Sequence, residues 1–260
     1  MTVNTLAPVP VSLPLPAALA GRTVVVVGGS SGIGLAAGAL LASAGARVTL
    51  VARDRDRLAA AVEQVRTPGA TVTGIAGDGT DEHDLERVLD EAGGSVDHLL
   101  VTAGGLAGGP FLATPVDRLR QAVDGRFWGA YAAARAAARV MPPGGSVTFS
   151  SGLYLQRPVP GAAAAIAILG AVEGLTRTLA VELAPMRLRV NAVRYGIVDT
   201  PLSRGSLGLD GAEAVAAAGR NTPLGRFGTA QEAASAALFL MANNFATGTV
   251  LTLDGGQSLA

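Results

Sequence analysis

The stretch VVVVGGSSGIG, residues 24–34, decides the fold of this chain. Val24–Val27 are four β-branched residues in a row, which is typical of a strand buried on both faces of a parallel sheet. The run ends at Gly28 and Gly29, and the spacing predicts a helix over Ile33–Ala44. A strand, a glycine turn and a helix N-terminus in this order bind phosphate, because glycine lets the backbone approach the anion and unpaired helix N–H groups point at it. We therefore predict a nucleotide site here.

Composition limits the classes of protein that this chain can belong to. It has 260 residues, of which 49% are hydrophobic and 15% charged, as expected for one globular α/β domain. Twenty basic and twenty acidic residues cancel, so we expect neither nucleic acid nor an anionic membrane as a partner. The absence of cysteine excludes disulfides and thiolate zinc sites. We expect no metal site, and we expect His83 and His98 at the surface.

The N-terminal residues 1–20 are rich in proline and lack the basic start of a signal peptide. Because proline disfavours a helix, we expect an extended or mobile arm before Arg22, followed by one domain over residues 21–260. No other segment approaches the pattern of a membrane span, and we expect a cytoplasmic protein.

Apolar runs and helical patterns alternate along the rest of the chain, which predicts right-handed βαβ units. Further strands are predicted at Ala46–Arg53, Ala70–Ala76, Val96–Val101, Gly145–Ser150, Leu188–Val193 and Thr249–Leu253. Further helices are predicted at Asp54–Arg66, Asp81–Ala92, Pro115–Val123, Gly125–Val140, Ala162–Ala184 and Thr229–Ala242. We expect Thr80 to cap the third helix and residues 200–226, which contain several glycines and prolines, to form a mobile flap. The predicted fold is a doubly wound, Rossmann-like parallel sheet of about seven strands with helices on both faces.

A sheet of this kind binds its ligand at the carboxyl ends of the strands. The small and polar residues at these ends are the predicted cofactor-binding residues. They are Gly28, Ser30, Ser31, Gly32, Ile33, Gly34, Arg53, Asp78, Gly79, Ala103, Gly104, Val198 and Thr200.

The end of the second strand indicates which dinucleotide is bound. A carboxylate there selects NAD, whereas an arginine accommodates the 2′-phosphate of NADP. Here Arg53 ends the strand, and the first carboxylate, Asp54, already belongs to the next helix. We expect NADP(H) rather than NAD(H), because a phosphate–guanidinium contact is charge-assisted. Asp78 is placed to accept a hydrogen bond from the adenine amino group.

These residues together resemble the short-chain dehydrogenase/reductase family from about Leu19 to Gly256. VGGSSGIG is similar to the family's TGxxxGxG motif, and Asp78-Gly79 to its adenine contact. VTAG, residues 101–104, resembles the NNAG motif with both asparagines replaced. Residues 181–202 resemble the VNAVxPGxVxTP segment, with Tyr195 in place of proline. PLGRFG at 223–228 and the DGG that ends residues 249–256 also match. The resemblance implies an NAD(P)-dependent carbonyl/alcohol oxidoreductase acting on a small-molecule substrate.

The family's catalytic residues are only partly present. Its chemistry uses serine, tyrosine and lysine, with an asparagine in a preceding helix. Ser151 matches the serine, but Ala164 and Ile168 occupy the tyrosine and lysine positions, and Arg126 occupies that of the asparagine. All twenty basic residues are arginine, so no shift of register restores the lysine. A cofactor would lose one charged contact and would bind less tightly than in the family, unless an arginine compensates.

The replacement proton donor is predicted to be Tyr154, acting with Ser151 and Arg126, and Tyr195 is the alternative. Arg126 or Arg157 could supply a positive field that lowers the pKa of a phenol or stabilises an oxyanion. Because the catalytic positions have changed, two other functions stay open. One is a non-redox isomerase, lyase or cyclase, and the other is a cofactor-binding pseudoenzyme.

The family resemblance also implies a homo-oligomer, a dimer or a tetramer. The contact would be made through the helices predicted at Gly125–Val140 and Ala162–Ala184. We expect Trp128 to fill a subunit or helix interface and Tyr131 to be a packing residue.

Overall fold

A computed structural model describes residues 15–105 and 108–260 of the chain. Its seven parallel strands form one sheet in the order β3-β2-β1-β4-β5-β6-β7. The strands are β1 (Thr23–Val27), β2 (Arg47–Ala52), β3 (Thr71–Ala76), β4 (His98–Val101), β5 (Ser146–Gly152), β6 (Arg189–Tyr195) and β7 (Val250–Leu253). The strand order reverses between β1 and β4, which creates the crevice that binds ligands in doubly wound folds. The predicted fold class is confirmed.

Helices cover both faces of this sheet. They are α1 (Gly32–Ser43), α2 (Arg55–Val65), α3 (Glu82–Glu91), α4 (Val116–Val123), α5 (Gly129–Val140), α6 (Ala163–Glu182), α7 (Pro201–Leu207), α8 (Gly211–Gly219) and α9 (Ala230–Ala242). A π-helical turn, Asp124–Trp128, joins α4 to α5. A short 3₁₀ turn, Leu153–Leu155, follows β5.

Successive residues of the strands face opposite layers, so the sheet has two separate cores. Val24 and Val26 pack with α1, α2 and α9, whereas Val25 and Val27 pack with α3, α5 and α6. The four valines are at most 1% exposed. This double burial is the reason that all four residues from Val24 to Val27 are apolar.

The expectation of no helix before Arg22 is wrong for residues 15–19. Leu15–Leu19 form a 3₁₀ helix, and Leu19 is buried in the core that contains α9. Proline is tolerated in the first turn of a helix, where its missing N–H needs no partner. The rest of the predicted arm, residues 1–14, lies outside the described residues.

Residues 200–226, which we expect to form a mobile flap, contain two helices, α7 and α8, that the glycine and proline pattern did not indicate. The breaking residues fall at the helix ends. Pro201 lies in the first turn of α7, and Gly208 ends that helix in a left-handed conformation with φ +64°. Thr200 and Ser203 form a capping box at its start.

Two single-residue predictions are also wrong. Asp81, and not Thr80, caps α3, because the Thr80 hydroxyl instead donates to Oδ1 of Asp78. His98 is 5% exposed and lies 2.9 Å from the Ser146 hydroxyl, Nδ1 to Oγ. His98 is buried because it lies in β4, a strand buried on both faces, although the acidic residue Asp97 precedes it. His83 is exposed, as expected.

Helix α6 is long and apolar enough to cross a bilayer, which differs from the expectation that no segment approaches a membrane span. Here its buried side, which includes Leu169, Val172 and Ala180, packs on the sheet beside β5 and β6. Core helices of globular proteins meet the same criteria of length and composition.

Candidate functional site

The glycine turn after β1 is a cradle in which three backbone segments converge. A Cβ atom on Gly28, where φ is +91°, would lie 2.7 Å from the Ala103 nitrogen, and one on Gly34 would collide with the Gly28 carbonyl oxygen. A Cβ on Gly32 would lie 3.4 Å from the Thr200 side chain. The predicted pyrophosphate-binding turn, the end of β4 and the start of α7 are therefore brought together.

The helix that follows is open to a ligand. Ser31 is the N-cap of α1, but its side chain makes no capping hydrogen bond. The first N–H groups of the helix point out of its N-terminus, where the helix dipole also favours an anion. This geometry fits the pyrophosphate of a dinucleotide.

At the end of β2 an arginine, Arg53, is followed by a carboxylate, Asp54, that caps the next helix. Arg53 is exposed and makes no hydrogen bond or ion pair with any other described residue. Asp54 caps α2, and one of its oxygens accepts from the N–H groups of Asp56 and Arg57 at 3.1 and 3.0 Å. The carboxylate that could have received a ribose hydroxyl is thus engaged in holding the helix.

The predicted adenine contact lies on the same edge of the sheet. Asp78 accepts from the backbone and hydroxyl of Thr80 through Oδ1, and its own N–H donates to Asp84. Gly79 packs so closely on the end of β1 that a Cβ there would lie 2.5 Å from the Val27 side chain.

Arg126 lies in the π-helical turn and points beneath the carboxyl ends of β4 and β5. Its Nη1 donates to the Gly104 carbonyl at 2.9 Å, and its Nη2 donates to the carbonyl and hydroxyl oxygens of Ser150 at 3.2 and 3.3 Å. Arg126 is 9% exposed. A π turn inserts one residue into a helix and is frequent at functional sites. The residue predicted to occupy the asparagine position is thus a buried cation within a π turn.

The charge of Arg126 has no counter-anion. It makes no ion pair with a described residue, and the undescribed residues 1–14, 106 and 107 include neither Asp nor Glu. Its Nε is buried and has no hydrogen-bond partner among the described residues, and Arg126 lines a small cavity of about 10 Å³, the size of about one water molecule. Burial lowers the pKa of Arg126 to about 10, because an unpaired charge is costly away from water.

Ser151 lies at the end of β5 and is 3% exposed. Its hydroxyl donates to Oε1 of Glu173 on α6 at 2.8 Å. Arg194 of β6 holds the same carboxylate through Nε at 2.9 Å and Nη2 at 2.6 Å, and donates to Thr252 of β7 at 3.1 Å. The network joins α6 to the last three strands at their carboxyl ends.

Glu173 and Arg194 are absent from the sequence-based list of site residues. The available signal is one charged residue on the buried side of α6, and an arginine near the carboxyl end of the buried strand β6. Because Ser151 and Arg194 are register partners, the fold brings these charges together. Nothing in the linear spacing of residues 173 and 194 gives that pairing.

The two tyrosine candidates lie in different environments. Tyr154 is half-buried in the 3₁₀ turn after β5 and makes no hydrogen bond to another described residue. Tyr195 is 5% exposed in the core formed with α1 and α9, and its buried hydroxyl has no hydrogen-bond partner among the residues that the structure describes. Burial raises the pKa of Tyr195 above its ordinary value. Arg157, the other predicted source of a positive field, donates to the Gln257 carbonyl at 2.9 Å.

The first turns of α6 carry only apolar side chains. Ala164 is half-buried and Ile168 is 5% exposed. Leu169 packs at the end of β5, where its Cδ1 would lie 3.2 Å from a Cβ on Gly152. A register one residue later, Ala165 and Leu169, would also place two apolar side chains at the positions of the family's tyrosine and lysine.

Comparisons with known proteins agree with this architecture. A family profile described as enoyl-(acyl carrier protein) reductase matches residues 27–258. Short-chain dehydrogenase/reductase malC of Malbranchea aurantiaca is 33% identical over 93% of this chain and 96% of its own. Carbonyl reductase family member 4 of Danio rerio is 31% identical over 92% and 98%.

Solved structures have the same fold. One described as the MalC reductase/Diels–Alderase of Malbranchea aurantiaca superposes with a TM-score of 0.85 at 30% identity, over 95% of this chain and 100% of that one. A short-chain type dehydrogenase/reductase of Mycobacterium ulcerans also gives 0.85, at 32% identity over 93% and 91%. The cradle, the strand order and these matches show that the chain belongs to the short-chain dehydrogenase/reductase family, whose members are NAD(P)-dependent oxidoreductases.

Proposed function

We propose that this chain binds NADP(H) and interconverts a carbonyl and an alcohol with an atypical proton donor. The observation that carries the cofactor is the end of β2, where Arg53 has no hydrogen-bond or ion-pair partner in the part of the chain that the structure describes, and Asp54 caps α2 through one of its oxygens. A free guanidinium at this position favours a 2′-phosphate over a 2′-hydroxyl.

When bound, the dinucleotide supplies the hydride, and the chain's own residues position the substrate and move the proton. Tyr154 is the proposed proton donor, because it is the candidate phenol that is partly exposed beside the end of β5. Arg126 supports it by lowering the pKa of a nearby phenol or by stabilising an oxyanion. Ser151 would act as a hydrogen-bond acceptor for substrate, since its hydrogen is engaged by Glu173.

The first test is titration of the purified protein with NADPH and NADH, by calorimetry or fluorescence. We expect NADPH to bind more tightly, and a screen of carbonyl substrates to show loss of NADPH absorbance. Failure of both dinucleotides to bind would refute the proposal.

A non-redox cyclase is the second candidate, and a specific relative favours it. The structurally similar MalC is described as both a reductase and a Diels–Alderase. Here the first turns of α6 carry no proton-transfer group, while Arg126 remains as a buried cation that could polarise a carbonyl. Substrate conversion without any change in cofactor absorbance would support this function. Tight binding without any conversion would instead support a pseudoenzyme.

We also propose a cytoplasmic homo-oligomer that associates through α5 and α6. Trp128 is 51% exposed and Tyr131 is 40% exposed, and their rings contact each other at 5.9 Å. An exposed aromatic pair at the start of α5 supports a subunit contact there. Light scattering would test this, and a monomer would refute it.

A further inference from the structure

Arg126 holds an unbalanced positive charge inside the candidate site. Its three hydrogen bonds all go to uncharged oxygens, those of Gly104 and Ser150. The walls of the cavity beside it are otherwise Val101, Ala103, Ala130, Phe149, Ser150 and Val172. A guanidinium in such surroundings is screened less than a surface charge, so its field reaches further into a neighbouring pocket.

The charged network at the end of β5 does not cancel this field. Its carboxylate, Glu173, is already paired with Arg194 at 2.6 Å and approached by Arg177 at 3.5 Å. Two cations therefore share one anion there, which leaves no excess negative charge in this network to balance Arg126.

The position of Arg126 determines which part of a dinucleotide would meet the charge. In this fold the half containing β1 to β3 holds one nucleotide, and the half beginning at β4 holds the other. Arg53 follows β2, so the proposed 2′-phosphate and its adenosine would occupy the half that contains β1 to β3. Arg126 donates to the carbonyl of Gly104, which follows β4, and to the carbonyl of Ser150, near the end of β5. These strands belong to the half of the fold that receives the nicotinamide.

We propose that Arg126 makes the site select the reduced dinucleotide over the oxidised one, so that the protein captures NADPH and releases NADP⁺. This inference rests on the proposed cofactor. The nicotinamide ring is uncharged when reduced and carries one positive charge when oxidised. A buried cation beneath its pocket repels only the oxidised ring. The two ligands share every other group, so their affinity ratio isolates this interaction.

The test is titration of the whole protein with NADPH and with NADP⁺, for the wild type and for Arg126→Gln and Arg126→Met. Arg135→Gln is the matched control, because it removes an exposed arginine of α5 that pairs with Glu82 at 3.1 Å. We expect the wild type to bind NADPH at least about tenfold more tightly than NADP⁺. Both Arg126 variants should reduce this ratio at least about fivefold, chiefly by tightening NADP⁺. The control should leave it unchanged, and raising the salt concentration should not abolish it.

Unchanged ratios in the folded Arg126 variants would overturn this inference while leaving the proposed cofactor intact, as would equal wild-type affinities. Failure of the wild type to bind either form would overturn both proposals. Two different variants protect the test against misfolding: Gln keeps a donor for the oxygens of Gly104 and Ser150, and Met removes the buried charge with a side chain of similar length.

Discussion

The hydroxyl of Ser151 donates to Oε1 of Glu173 at 2.8 Å, and this bond sets the chemical character of the serine. Glu173 is 4% exposed, and Arg194 holds its two oxygens at 2.9 and 2.6 Å. A carboxylate held in this way only accepts hydrogen bonds. The Ser151 oxygen is therefore left with lone pairs, and we expect it to receive a hydrogen bond rather than to give one.

The Glu173–Arg194 pair should show strong coupling in unfolding measurements. Glu173→Leu alone should lower the free energy of unfolding by about 3–5 kcal/mol, because it leaves the buried Arg194 without an anion. Arg194→Met should cost less, because Glu173 keeps Arg177 at 3.5 Å. The double variant should recover most of this loss. Chemical denaturation of the four proteins checks the prediction, and additive effects of the two changes would contradict it.

Arg53→Ala should weaken NADPH binding about 10- to 100-fold and leave NADH binding nearly unchanged. The reason is the loss of a charge-assisted contact worth about 1.5–3 kcal/mol with a phosphate that NADH lacks. Calorimetric titration measures both affinities. Arg55→Ala, which removes a second exposed arginine two residues away, is the control and should have little effect. Equal losses for the two ligands would argue against a 2′-phosphate contact.

Tyr154→Phe should reduce turnover by about 10²–10⁴-fold without changing the affinity for the dinucleotide, because it removes the proposed proton donor alone. Tyr195→Phe is the matched variant. It deletes a buried hydroxyl that has no partner, so we expect unchanged turnover and a free energy of unfolding raised by about 1 kcal/mol. Steady-state kinetics and thermal unfolding test the pair. If Tyr195→Phe alone abolished turnover, the assignment of the donor would be reversed.

Protonation of His98 should destabilise the fold in mild acid. Burial, reinforced by the charge of Arg189, lowers the pKa of His98 from 6.5 to about 3. Between pH 6.5 and about pH 3, His98 binds a proton in the unfolded chain but not in the folded chain. The free energy of unfolding therefore falls as the pH drops below 6.5. The contribution is about 2 kcal/mol between pH 7 and pH 5.

The comparison that isolates this effect uses two glutamine variants. His98→Gln should show a shallower loss of unfolding free energy over that range, and it can keep a hydrogen bond to Ser146. His83→Gln removes an exposed histidine and should follow the wild type. Parallel curves for all three proteins would show that His98 is not the titrating group.

Much of the glycine cradle and of the sheet edge beside it could be predicted from local sequence. The valine run at 24–27, the glycines that follow it and the strand ending at Arg53 are contiguous signals, and backbone sterics and double burial impose them locally. The same local rules failed at Thr80, because the group that caps α3 depended on which neighbour was within reach of its hydroxyl. They also missed the helices α7 and α8 within residues 200–226.

The sequence by itself determined the class of fold and the loss of the lysine, because alternation of apolar strands and helices is a property of the chain and no lysine exists to be placed. Only the tertiary structure decided that Arg126 and His98 are buried and that Glu173 meets Ser151 and Arg194. Ser151, Glu173 and Arg194 lie on β5, α6 and β6, which become neighbours only when the chain folds. Burial and pairing of charges depend on distances between such elements, and the order of residues along the chain does not contain those distances.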